Sequence, residues 1–256
     1  VAPFCSAALV YFYSALDNRY AQAVAASDRT LELAPDDINA LNSKGNALQS
    51  WGNLAAKLSR DAEAEERYAQ AVAASDRTLK LAPDDINALN NKGLALQSWG
   101  RLAAKLSQDA EAENRYARAV AVYDRALELA PYDVNALYNK GIALQSWGRL
   151  AAKLSQDAEA ENRYARAVAV YGRALELAPY DVEILNNALQ SWGDLAAKLS
   201  RDAEAEDRYA LAVAASDRAL ELAPDRVEVL NSKRNALQRW SDLRAKLSRV
   251  VEQDQR

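Results

Sequence analysis

The sequence predicts an all-α solenoid, a superhelix of antiparallel helical hairpins, and three observations carry that reading. Asp84–Pro131 is followed by 48 residues, Tyr132–Pro179, that repeat it with five differences. Pro35, Pro83, Pro131, Pro179 and Pro224 recur at spacings of 48, 48, 48 and 45, and Trp51, Trp99, Trp147, Trp192 and Trp240 keep the same beat. A fixed period of this size marks an array whose units bury their apolar faces on their neighbours. Within a unit, apolar residues step by three or four, as on one face of a helix.

Taken in order, each unit opens with a first helix, A. In the third copy the stripe is Leu137, Gly141, Leu144, Trp147, Leu150/Ala151 and Leu154. Asp133, just past Pro131, suits the N-cap, so helix A is expected from about Asp133 to Ser155. The second helix, B, carries Ala160, Tyr164, Ala167, Tyr171 and Ala174/Leu175 and should end near Leu177, before Pro179. Asp157 is the expected cap of B. Glu159 and Glu161 sit in its first turn, where the helix dipole favours negative charge. Glu159–Arg163, at i,i+4, recurs as Glu63–Arg67, Glu111–Arg115 and Glu204–Arg208. A tight Ser-x-Asp tip joins A to B.

Three segments follow. Residues 1–18 form a divergent lead-in or cap in the place of a helix A, residues 19–224 the repeat array, and residues 225–256 a C-terminal capping helix and tail. In that last helix Arg234 and Ser241 replace the two glycines of helix A, and Arg239 and Arg244 replace Ser and Ala. Large charged groups there read as the solvated end of a solenoid. The fourth unit lacks three residues, reading LNNALQSW where the third reads LYNKGIALQSW.

Composition excludes several chemistries. There is no histidine and one cysteine, Cys5, which removes His-based acid–base catalysis, zinc sites and internal disulfides. Cys5 reads as a small apolar residue, with a lipid or intermolecular disulfide site as the alternative. A net charge of −4 gives no basic face for nucleic acid. The longest apolar run, Ala7–Tyr13, is far short of the ~20 residues that span a bilayer. The chain begins at Val1 rather than Met, as a processed, trimmed or partial product would. No phosphate-cradling GxxxxGK[ST] loop and no paired acid–base site is present, so neither enzymatic activity nor a cofactor is expected.

The register of Leu137, Gly141, Ala143 and Gly148 on helix A, then Tyr164, Ala167, Tyr171, Ala174 and Pro179 on helix B, resembles the tetratricopeptide repeat (TPR). The usual TPR unit is shorter. Here 14 residues, Leu150–Arg163, stand where it turns from A to B. Fourteen residues are close to four helical turns, so two turns can lengthen each helix without rotating its face. A break of helix A at Gly148 is the alternative, and the unbroken stripe favours the continuous helix. Lys44, Lys92 and Lys140 also depart from the family, which has a buried leucine there.

The resemblance implies that helix A lines a concave groove that holds protein or peptide segments. The groove would then carry Asn39, Asn42, Asn46, Gln49, Asn87, Asn90, Asn91, Gln97, Asn135, Tyr138, Asn139, Gln145, Asn186, Asn187 and Gln190, continued by Asn231, Asn235 and Gln238. A row of amides can pair with the backbone of an extended peptide whatever its side chains. Duplication of a solvated helix surface would give the same row. The recurrent DAEAE segments read either as an acidic ridge or as first-turn dipole residues. The tryptophans lie on the apolar stripe and read as packing. The expected function is a non-enzymatic protein-interaction scaffold. Its alternative is a structural subunit assembling into a homo-oligomer or filament, with Phe4, Leu9, Val10, Tyr11, Phe12 and Tyr13 as the assembly surface.

Overall fold

The computed structural model describes residues 2–178 and 183–254, with side chains for 12–178 and 185–249. Among the described residues there are ten α-helices and no strand. They are α1 (Ala2–Leu33), α2 (Ile38–Lys57), α3 (Asp61–Leu81), α4 (Ile86–Lys105), α5 (Asp109–Leu129), α6 (Val134–Lys153), α7 (Asp157–Leu177), α8 (Glu183–Lys198), α9 (Asp202–Leu222) and α10 (Val227–Asp254). The chain divides into two compact units, Val1–Ala136 and Leu137–Arg256. In each, consecutive helices pack as antiparallel hairpins, so the fold is an all-α solenoid.

Helix starts follow the chemistry of the proline loops. Asp37 accepts the Ala40 N–H at 2.8 Å, and Asp85 accepts that of Ala88 at 2.7 Å. Asp133 takes those of Asn135 and Ala136. Each satisfies donors that the first turn leaves without partners. Gly148 lies inside α6, which runs on to Lys153, so helix A is continuous through the glycine.

One expectation is corrected. Asp157 does not cap α7: it is the first helical residue, Gln156 holds the cap position, and no side-chain cap bond forms. The same holds at Asp61, Asp109 and Asp202. Their charge still sits in the first turn, where the helix dipole favours it. The lead-in continues into the first B helix as one element, α1, which runs unbroken from Ala2 to Leu33. Between Phe4 and Leu33 there is no glycine or proline to stop it.

The A–B tips share one geometry. Ser59, Ser107, Ser155 and Ser200 have φ of 57°, 59°, 58° and 56°. At the first tip the Arg60 N–H donates to Ala55 O at 2.9 Å and the Ser59 N–H to Ala56 O at 3.2 Å. This is the Schellman pattern, which reverses the chain within two residues. The left-handed backbone strains a side-chain-bearing residue, and glycine is the usual occupant. Ser107→Gly should therefore raise unfolding free energy by about 1 kcal/mol. A lower midpoint in urea would refute this.

The tip elongation is a packed layer. In the first unit Ala55, Ala64, Tyr68 and Leu102 form a core cluster against which Trp99 packs. In the second, Ala151, Ala160, Tyr164 and Leu195 do the same with Trp192, and Ala196, Ala205, Tyr209 and Leu243 with Trp240. Each tryptophan is half-buried, as its place on the stripe implied, and its outer face is covered. The guanidiniums of Arg67, Arg115, Arg163 and Arg208 lie 4.0, 3.9, 4.0 and 3.8 Å from the ring centroids of Trp51, Trp99, Trp147 and Trp192.

Candidate peptide-binding site

The predicted groove residues separate into three groups. Asn39, Asn46, Asn87 and Asn135 are exposed, as are Asn231, Asn235 and Gln238, while Tyr138, Asn91, Asn139 and Asn187 are partly exposed. Tyr138 rests edge-on against Tyr171, with centroids 6.5 Å apart.

A second group ties helices together. Asn42 of α2 donates to Asp85, the cap of α4, at 3.5 Å, and Asn90 of α4 donates to Asp133, the cap of α6, at 3.1 Å. Gln49 donates to Ser98 at 3.3 Å, Gln145 to Ser191 at 3.4 Å, and Gln190 to Ser232 O at 3.4 Å. Gln97 accepts from the Tyr123 hydroxyl at 3.5 Å. Gln97, Gln145 and Gln190 are buried, so they join neighbouring helices and offer nothing to a ligand. Their place in the groove is corrected accordingly.

The third group is Asn186 alone. It is fully buried and donates to Ser216 of α9 at 2.6 Å, so it belongs to the core and not to the groove. The three-residue deletion explains the error. Counted back from Trp192, Asn186 stands six residues before the tryptophan, the register of Gly45, Gly93 and Gly141.

That register carries a size match between helix A and helix B. A Cβ added to Gly93 would lie 2.5 Å from the Tyr123 ring, and one added to Gly141 2.2 Å from the Tyr171 ring. In the first hairpin the partner is Ser75, and a Cβ on Gly45 would meet nothing nearer than 3.5 Å. In the fourth hairpin the smaller Ser216 leaves room for Asn186. The large side chain is on B in two hairpins and on A in one. Seven residues on, Gly52, Gly100, Gly148 and Gly193 each receive a tyrosine: Tyr68, Tyr116, Tyr164 and Tyr209. These close approaches are what the glycines are for.

Burial leaves its mark on the phenols. It pushes Tyr68 and Tyr164 up to about 12, with Arg101 and Arg149 pulling each back slightly. Tyr123 and Tyr171 are driven up further by the same cause, and Tyr209 by burial and then by its bond to Asp194. These groups are neutral packing elements with no proton to exchange near neutral pH.

Ion pairs absorb much of the DAEAE charge. Glu63 pairs with Arg60 at 3.1 Å and Arg67 at 3.8 Å, Asp61 with Lys105 at 3.0 Å, and Glu159 with Arg163 at 3.3 Å. Glu111 pairs with Arg115, and Glu161 with Arg201. In the last copy Glu204 meets Arg201 at 3.2 Å. Glu206 accepts from Arg244 and then Trp240, which hold its carboxyl below the usual range. The lysines that depart from the TPR pattern are also engaged. Lys44 meets Asp28 at 2.5 Å, and Lys92 meets Asp76 at 2.6 Å, each joining a helix A to the helix B before it.

Of the assembly residues, Phe4, Leu9, Val10 and Tyr11 lie outside the described side chains. Phe12 is 56 % exposed. Tyr13 packs edge-on against it and takes the Lys57 ammonium over its ring at 5.5 Å. Among the described residues no group of three His, Cys, Asp or Glu could hold a metal, and no helix is long and apolar enough to cross a membrane.

No family profile matches the sequence, and no curated protein matches it. Solved structures do. BtubC (BKLC) from P. vanneervenii aligns with a TM-score of 0.64 at 12% identity, covering 92% of each chain. The shared fold is an α-solenoid. Two others align less well: TTC0263, a TPR protein of Thermus thermophilus, and MamA 41-end from Desulfovibrio magneticus RS-1. The first has a TM-score of 0.43 and 19% identity, covering 90% of this chain and 95% of that one. The second has 0.40 and 18%, covering 83% and 97%.

Proposed function

We propose that the chain is a non-enzymatic scaffold that holds an extended polypeptide along the amides of its A helices. The observation that carries this is the sorting of the amides. Asn42, Asn90 and the glutamines are used up in joining helices, while Asn39, Asn46, Asn87, Asn91 and Asn135 of the first unit keep exposed surface. Helices packed side by side lie about 8–10 Å apart, close to the ~10 Å that three residues of extended chain span. One asparagine per A helix therefore matches every third residue of a peptide backbone. An amide both donates and accepts, so it serves either backbone group.

The test uses unstructured 12-residue peptides selected from a display library and measured by calorimetry. Asn87→Ala, Asn91→Ala and Asn135→Ala together remove three amides, each worth about 1 kcal/mol as a hydrogen bond. Affinity should fall by roughly a hundredfold. Equal affinity of the triple variant would overturn the groove.

A second reading, a structural subunit that associates into a homo-oligomer or filament, is supported by Phe12. A large aromatic 56 % exposed on a helix whose residues 2–16 carry no charged side chain is the kind of surface that subunits cover.

A further inference from the structure

One junction between hairpins is built unlike the others. Seven residues before Trp51, Trp99, Trp147 and Trp240 stands a lysine, and seven before Pro35, Pro83, Pro131 and Pro224 an aspartate. Lys44–Asp28, Lys92–Asp76 and Lys233–Asp217 close at 2.5–2.6 Å. Between α7 and α8 both partners are gone. The lysine register holds Leu185 and the aspartate register Gly172, a substitution that otherwise leaves the α7 segment identical to that of α5. On α9, Leu211 stands thirteen residues before its proline, where the preceding B helices carry Gln70, Arg118 and Arg166. Three polar positions have been exchanged for apolar ones or for none, at one place.

The result is a mainly apolar cleft of about 530 Å³, lined by Val168, Gly172, Leu175, Leu185, Leu189 and Leu211, together with the charged Glu176 and Arg218. A Cβ at Gly172 would meet nothing within 4 Å, so the space is open and not a close approach of helices. Leu211 is 50 % exposed at its edge. The volume lies in the range of sites that take a bulky apolar group.

We propose that this cleft receives Phe12 and the uncharged turn around it from α1 of a second copy. The proposal rests on the self-assembly reading above and gives it a site. The sequence contains one uncharged aromatic segment and one hairpin junction with its ion pair replaced by apolar residues, and neither occurs twice. Phe12 is exposed, and the cleft lacks the aspartate and lysine of the other junctions, leaving Glu176 and Arg218 as the charged residues of an otherwise apolar lining. Knob and cleft are different surfaces, so the contact is heterologous and propagates head to tail into a chain or ring.

Sedimentation and light scattering across a concentration series test this with two variants. Gly172→Asp with Leu185→Lys restores the ion pair of the other junctions, and Phe12→Asp removes the knob. Circular dichroism checks that both keep their helices. The wild type should grow in mass with concentration, and each variant should stay monomeric over at least a tenfold wider range. Mixed, they should form a one-to-one dimer and nothing larger, because one keeps its knob and the other its cleft. A wild type that stays monomeric overturns both the cleft contact and the self-assembly reading. Variants that associate as the wild type does, or a mixture that fails to dimerise, overturn the cleft contact alone.

Discussion

Gly93→Ala is expected to destabilise the protein by about 2 kcal/mol, while Gly45→Ala, at the same register one hairpin earlier, stabilises it by about 1 kcal/mol. In a helix interior alanine is favoured over glycine by nearly that last amount, so the gain at Gly45 is the intrinsic preference alone. There the new methyl makes ordinary contact with Ser75 and Ala74. At Gly93 it would stand 2.5 Å from two carbons of Tyr123, a ring that is fully buried and cannot swing away. Overpacking of that kind shifts helices and outweighs the preference. In a Tyr123→Ser background, which reproduces the pairing of the first hairpin, Gly93→Ala should no longer destabilise, because the ring it would meet is gone. Urea unfolding of the two singles and the double measures the coupling. Equal effects at Gly45 and Gly93 would show that the tyrosine does not decide the glycine.

The second large effect is alkaline. Tyr68, Tyr123, Tyr164, Tyr171 and Tyr209 are buried, and their phenols are held above the ordinary value of 10. A group whose folded pKa is raised gives stability that is complete below the unfolded pKa and lost as pH rises through the folded one. The window therefore opens at pH 10 and extends to about 12 for Tyr68 and Tyr164, and beyond for the other three. Each unit of pH inside it costs about 1.4 kcal/mol per phenol. By pH 11 the two most deeply buried, Tyr123 and Tyr171, together withdraw about 3 kcal/mol, and solvent screening makes the share of the other three smaller. Helix content should fall in one steep step together with ionisation of the buried phenols. Ionisation of all twelve tyrosines with the helices intact would contradict the burial argument.

The sequence disclosed the helices because their signals are local. Asp37, Asp85 and Asp133 after the proline loops, the Ser-x-Asp tips and the stripe through Gly148 each lead to the element found. The binding face was less legible. An asparagine and a glutamine on the same helix look equally solvated in sequence. The longer glutamine side chain reaches a serine on the next helix, while Asn39 and Asn87 do not. Asn186 was misplaced because a deletion of three residues is not a whole turn. Counting from the loop puts it on the surface, and counting from Trp192 puts it under Ser216. The ion pairs between hairpins were hidden because lysine and aspartate lie 16 residues apart, on different helices. Reading the repeats as columns, with Gly172 beside Leu185 where Asp and Lys recur, is the signal that locates the cleft.

The glycine–tyrosine matches have a bearing on how such a chain can be inherited. Both matches, Gly93 with Tyr123 and Gly100 with Tyr116, lie within one hairpin, α4 and α5. Lysine and aspartate, by contrast, sit on either side of a proline loop and are the same at nearly every junction. A crossover between repeats inside a proline loop carries each keyed pair of helices across whole and rejoins it to an interchangeable neighbour. A crossover at a Ser-x-Asp tip would join the helix of Asn186 to one bearing Tyr123 or Tyr171, where no room exists. Exchange at the prolines thus keeps every keyed pair together, whereas exchange at the tip of the fourth hairpin separates Asn186 from the Ser216 that makes room for it.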